Sequence, residues 1–203
     1  SKINRLSKIV TLFLLTILLV SCISNRKKSL SVKGSDTMVN LTQRWAEGFM
    51  VEHPEISVQV TGGGSGTGIA SLINGTSSIA NISRELKPNE INYAKQNGVN
   101  PIQHIVALDG IAVIVNSNNK IDTISMALLK KIYSGEIKNW KSINGIDANI
   151  VLYGRENSSG TYEYFRQSIL GKNESGRQID FPSNMQSLQG TASIAEAVSK
   201  DKY

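Results

Sequence analysis

The feature that most constrains this chain is a glycine-dense turn, Thr61-Gly62-Gly63-Gly64-Ser65-Gly66-Thr67-Gly68, set between two different periodicities. Before it, residues 56–60 alternate apolar and polar, the pattern of a half-buried strand. After it, Ile69, Leu72 and Ile73 fall on one helical face. Strand, glycine turn and helix N-terminus together make an anion cradle. Successive N–H groups converge there, the helix dipole is positive, and missing Cβ atoms let an anion approach the main chain. Ser65 and Thr67 add hydroxyl donors. A flexible Gly/Ser linker has a similar composition, and this stretch alone leaves both readings open. Two other phosphate cradles fit less well. A P-loop carries Lys-Ser or Lys-Thr after its last glycine, where this chain has Ile69-Ala70; a dinucleotide fold would place an acidic residue on a following strand end.

A net charge of +6 and a pI near 9.4 raise the question of nucleic acid. The position of the charge argues against it. Lys2, Arg5, Lys8, Arg26, Lys27 and Lys28 lie in a stretch without acids, and the remaining 16 cations balance all 16 acids. No nucleic-acid partner is expected. With 203 residues, 40% apolar and 19% charged, the chain has enough core for one domain or two small ones.

The basic N-terminus reads as an export signal. Lys2, Arg5 and Lys8 precede an apolar run from Ile9 to Val20, too short for an ordinary membrane-spanning helix. The run ends in Ser21-Cys22. A small residue followed by Cys at this place resembles the lipobox of bacterial lipoproteins, in which the Cys is acylated (palmitate among the acyl groups) and becomes the new first residue. The expectation is a signal peptide over 1–21, a lipidated Cys22 and a tether over 22–30.

From Leu30 onward the pattern is globular. Leu30 to Val32 reads as a strand running into Gly34-Ser35-Asp36-Thr37, with Asp36 or Thr37 as a helix cap. Met38, Leu41, Trp45 and Phe49 then follow at helical spacing up to His53-Pro54. Residues 78–82 form another strand pattern before Ser83-Arg84-Glu85, and Pro88 opens the next helix. Ile102 to Ala107 and Ile111 to Val115 read as a crossover between two lobes. Ser125 caps a helix through Tyr133 that presents Met126, Leu129, Ile132 and Tyr133, and Trp140 reads as core. After a strand over 150–153 comes Gly154-Arg155-Glu156-Asn157-Ser158-Ser159-Gly160-Thr161, again strand, polar turn and helix. A guanidinium there can grip two oxygens of a tetrahedral anion while hydroxyls and turn amides take the others. A local Arg155–Glu156 pair with a Ser/Thr cap explains the same residues. Ligands of open α/β sheets bind at the carboxyl ends of strands, where all these turns lie.

Taken in order, Gly34-Ser35-Asp36-Thr37, the Gly62 to Gly68 turn, Ile82-Ser83-Arg84-Glu85 and Arg155-x-x-x-Ser159-Gly160-Thr161 resemble the PstS-type phosphate-binding proteins of bacterial ABC transporters. The likeness extends through Leu129 to Trp140 and covers nearly everything from Ser31 onward. It implies a type II periplasmic-binding-protein fold of the α/β class, with lobes over 31–108 and 109–203 closing on ligand about a hinge. It also implies phosphate contacts at Thr37, the Met38 backbone N–H, Ser65, Ser83, Arg155, Ser159, Gly160 and Thr161. The implied partners are inorganic phosphate, the permease subunits of the importer and, through Cys22, the outer face of the cell membrane (periplasmic in a Gram-negative cell). No catalytic residue, cofactor or metal is implied.

Two departures qualify the resemblance. Family members carry an Asp where this chain has Ser83; that carboxylate accepts the proton of hydrogen phosphate and so rejects sulfate. Asp36 is the candidate replacement acceptor, and Arg84 a candidate second cation. Members also continue beyond the helix near Ala192 to Val198, so a fragment or a truncated gene product is expected, incomplete in its second lobe. Other readings are a receptor for sulfate or molybdate, or a phosphohydrolase, adhesin or sensor on the same fold. His53 and His104, the only histidines, lie away from the Ser/Thr turns, which weighs against the hydrolase.

Overall fold

A computed structural model of the chain describes residues 28–202. The expected signal peptide and Cys22 lie outside the described residues.

Two parallel sheets organise the molecule. In the first, β1 (Lys28–Gly34) lies between β2 (Ile56–Thr61) and β3 (Ile79–Asn81), and both neighbours run parallel to it. The crossovers are helices, as parallel strands demand: α1 (Val39–Glu52) and α2 (Ser65–Ile73), with α3 (Pro88–Gln96) after β3. Ile69, Ile73 and Ala94 form the core of this half, against Ile82, Leu86 and Val99. The second sheet pairs β4 (Tyr153–Arg155) with β5 (Gln186–Leu188), again in parallel. Around it lie α4 (Met126–Tyr133), α5 (Gly160–Phe165), continued as one π-helical stretch to Leu170, and α6 (Thr191–Lys200). Its core is Ile132, Trp140 and Leu152. Beside that core Tyr133, Tyr162, Phe165 and Phe181 meet edge-on or stacked. Burial pushes the Tyr133 hydroxyl pKa up, although its Oη still reaches the Tyr153 carbonyl at 3.4 Å. α6 is tied back by Tyr153 Oη donating to Asp201 (2.7 Å) and by Asn116 Nδ2 donating to the Val198 and Ser199 carbonyls.

Several local expectations hold. Ser125 caps α4 by accepting the Leu128 N–H at 3.2 Å, Pro88 opens α3, α1 stops at His53, and Trp140 is core. Others are corrected. Residues 28–30, expected as part of a tether, belong instead to β1, where Lys28 pairs with Ile56. Neither Asp36 nor Thr37 caps α1. Ser35 and Met38 hold the cap positions of the short 3₁₀ turn and of α1, without side-chain cap bonds. The second-lobe strand begins at Tyr153 rather than at 150.

The α1 stripe is displaced by one position. Thr42 and Ala46 are its buried residues, while Leu41, Trp45 and Phe49 remain 38–45% exposed. The physical reason lies beneath the helix. Buried Asn81 Nδ2 donates to Thr42 Oγ1 at 2.8 Å, and a small Ala46 lets the backbone approach the sheet. Met126 of α4 is likewise exposed. Residues 101–115 are neither helix nor strand, and their apolar side chains stand open, Leu108 at 96%.

Candidate anion-binding site

Five strand ends feed the site, three from the first sheet and two from the second. The turn after β1 holds Ser35, Asp36 and Thr37, with the buried Ser35 hydroxyl 2.9 Å from that of Thr37. The glycine turn after β2 folds against it. Gly64 N–H donates to the Gly34 carbonyl (3.0 Å), and Gly63 N–H donates to Asp36 Oδ1 (2.9 Å). Gly64 sits at φ +88°, which side chains rarely adopt, and a Cβ there would stand 2.6 Å from the Ser158 carbonyl of the opposite turn. The turn after β3 brings Ser83, whose N–H donates to Ser65 Oγ (3.1 Å) and whose hydroxyl lies 3.2 Å from it. Ser65 is wholly buried.

The second half meets these turns directly. Gly66 N–H donates to the Ser158 carbonyl at 3.0 Å, and Gly160 presents its Cα to the hydroxyls of Ser65 and Ser83, so closely that a Cβ would overlap both. Ser159 caps α5 by accepting the Tyr162 N–H at 3.3 Å, while Thr161 lies half-buried in its first turn. The charge comes from Arg155, at the end of β4 and only 5% exposed. Its Nε and Nη2 donate to the Glu156 carboxylate at 3.0 Å each, Nη1 donates to Thr191 Oγ1 at 3.3 Å, and Nη2 donates across the lobes to Asp36 Oδ2 at 2.8 Å. Asp36, Thr37, Arg155, Thr161 and Thr191 all line a cavity of about 1110 Å³. Apolar residues such as Ile111, Val113 and Leu152 line it too, together with polar ones such as Asn116 and Asp122. Hydroxyls, amides and one buried guanidinium converging from two lobes make a chemistry suited to a small oxyanion.

The profile of the PBP superfamily domain matches residues 23–201. The chain belongs to that superfamily. It is 31% identical over 186 residues to the phosphate-binding protein PstS of Pseudomonas aeruginosa, covering 85% of this chain and 55% of the relative. To PstS of Bacillus subtilis it is 38% identical over 145 residues, 70% of this chain and 46% of the relative. The chain thus spans about half the length of the curated relatives it matches. Among solved structures, one described as a phosphate ABC transporter substrate-binding protein with bound phosphate, from Clostridium perfringens, superposes with a TM-score of 0.73. That pair shares 34% identity over 86% of this chain and 68% of the other. All three are named as binding proteins and not as enzymes.

On this fold most residues singled out from the sequence come together: Asp36, Thr37, Ser65, Ser83, Arg155, Ser159, Gly160 and Thr161 all lie on the facing turns. Met38 differs in detail, since its N–H donates to the Ser35 carbonyl at 3.2 Å and closes the 3₁₀ turn. Arg84 is not a second cation of the cluster. Its Nη1 and Nη2 bind both oxygens of Glu90 at 2.8 and 2.6 Å. That bond raises the Arg84 pKa; burial would raise the Glu90 pKa, but Arg84 and the Lys87 N–H hold it lowered. The local Arg155–Glu156 pair anticipated as the plain explanation does form, alongside the cross-lobe bond to Asp36.

Thr191 was missed. Its signal was Gly190-Thr191 opening a helix after a strand, the same grammar as the other turns, with Gly190 at φ +78°. The Lys87–Glu163 contact, 2.8 Å between residues 76 positions apart, had no sequence signal at all.

Proposed function

We propose that this chain captures inorganic phosphate between two lobes, the first beginning with β1 at Lys28 and ending near residue 108 and the second following from 109, as the receptor of an ABC importer, delivering it to the permease subunits. The observation that carries this reading is the pairing of buried Arg155 with Asp36 across the cleft at 2.8 Å, where the turns that carry Thr37, Ser65, Ser83, Ser159 and Thr161 face one another. An entering anion exchanges the Ser65–Ser83 and Arg155–Asp36 bonds for bonds to its own oxygens, and the turn amides and the Thr161 hydroxyl complete its shell. A ligand held by both lobes favours the closed arrangement by differential contact. Micromolar affinity needs about −8 kcal/mol, which several charge-assisted hydrogen bonds at roughly 1.5–3 kcal/mol each supply after ordering costs.

Asp36 is the proposed acceptor for the proton of hydrogen phosphate, in place of the family carboxylate absent at Ser83. A fully ionised sulfate would leave that acceptor facing a bare oxygen, a costly arrangement. Cys22 is proposed as the lipidation site, holding the receptor on the extracytoplasmic face of the membrane. Calorimetric titration with phosphate, sulfate and molybdate tests the reading. Heat with phosphate and little with sulfate supports it. No heat with phosphate sinks it, and preference for sulfate or molybdate reassigns the anion.

A further inference from the structure

One further cross-lobe contact is made beside the turns that carry the hydroxyls, by the residue that ends the turn after β3 and by the first turn of α5. Lys87 Nζ, on the cap residue of α3, donates to Glu163 Oε1 on α5 at 2.8 Å. Each half of this pair is built within its own lobe. On the first, Glu90 accepts the Lys87 N–H at 2.9 Å while holding Arg84 with both oxygens, which fixes the cap residue and leaves one net positive charge. On the second, Glu163 is 8% exposed and accepts from Arg166 Nη2 (3.0 and 3.3 Å) and Gln167 Nε2 (2.6 Å). Arg166 also pairs with Asp180, so this group carries one net negative charge. Two preordered patches of opposite charge lose little side-chain entropy when they meet, unlike two free surface chains.

We propose that Lys87 and Glu163 form a latch that holds the lobes together over bound anion and slows its release, without either residue touching the ligand. The proposal rests on the phosphate-receptor reading for its kinetic consequence, but the latch itself is a contact between lobes. Both are positioning residues. Removing the Lys87 ammonium leaves Glu163 bonded to Arg166 and Gln167 within its own lobe, so K87M opens the latch without orphaning the carboxylate.

The test uses the full chain as wild type, K87M, K87R, E163Q and the K87M/E163Q double variant. Phosphate association and dissociation rates are read by stopped flow. Lobe separation without phosphate is read by energy transfer between dyes at V51C and K141C, with Cys22 replaced by Ser; Val51 is 82% exposed and the Lys141 side chain 70%. Expected are a dissociation rate raised roughly three- to tenfold in K87M with association nearly unchanged, a longer ligand-free dye separation, recovery of both in K87R, and no additivity in the double variant. An unchanged dye separation in K87M overturns the latch, as does a loss confined to the association rate, which would make Lys87 a steering charge. If the wild type binds no phosphate, the receptor reading fails while the dye separation still decides the latch.

Discussion

The turn after β2 and the turn after β4 have the same construction, strand into glycine-bearing turn into helix, yet they contribute different things. The first supplies shape. Its glycine amides bond Gly34, Asp36 and Ser158, and its one functional side chain is a buried serine. The second supplies charge, through a guanidinium buried between Glu156, Asp36 and Thr191. Across two facing lobes this division means neither turn is a site alone. A glycine cradle is indifferent to which anion it holds; an arginine answered by an aspartate on the other lobe is not.

That contrast can be broken most severely on the charged side. Arg155→Met leaves Asp36 and Glu156 without their cation, and removal of one partner from a buried charge pair costs about 3–5 kcal/mol. The expected result is a loss of phosphate affinity of roughly hundredfold or more by calorimetry. Affinity within a few fold of wild type would remove Arg155 from the site. On the side of shape, Gly160→Ala places a methyl on the Ser65 and Ser83 hydroxyls. Overpacking of this kind costs about 1–3 kcal/mol. The cost should appear in phosphate affinity and lobe closure, with circular dichroism unchanged; unaltered binding would show that these turns do not meet at closure.

Asp36→Asn sharpens the comparison rather than breaking it. Its expected effect is a roughly tenfold fall in the ratio of phosphate to sulfate affinity, larger than the fall in phosphate affinity itself. An unchanged ratio moves the acceptor role elsewhere.

The smallest effect concerns pH. Burial alone would raise the Glu163 pKa, but the Lys87 hydrogen bond outweighs it, together with Arg166 and Gln167; Arg84 also faces this carboxylate. Its folded pKa is therefore below the unfolded value. The stabilisation is present in full above the ordinary carboxylate pKa and is lost as pH falls through the depressed folded value. The difference in thermal midpoint between wild type and E163Q should shrink on acidification through that window. A difference that grows instead would reverse the sign assigned to Glu163.

Much of the site was legible because its grammar is local. Strand periodicity running into glycine and hydroxyl residues, then into helix periodicity, marks where amides and small side chains will face a ligand, and four such turns could be read from neighbouring residues. Which face α1 buries was not legible from spacing. Leu41, Trp45 and Phe49 have perfect helical spacing, but helix rotation was decided by a buried Asn81–Thr42 bond that no periodicity reports. Arg84 was misassigned in the same way, since Glu90 six positions on competes for it.

The glycine turn thus illustrates both limits. Sequence alone determined that residues 61–68 would bend between a strand and a helix, because missing Cβ atoms and hydrophobic period are properties of adjacent residues. Only the tertiary structure decided that Gly63 is held by Asp36, that Gly66 meets the Ser158 carbonyl, and that Arg155 arrives from 119 positions away to face Asp36. Those contacts depend on how two sheets are brought together, and Coulomb attraction between distant residues leaves no periodic trace in the chain.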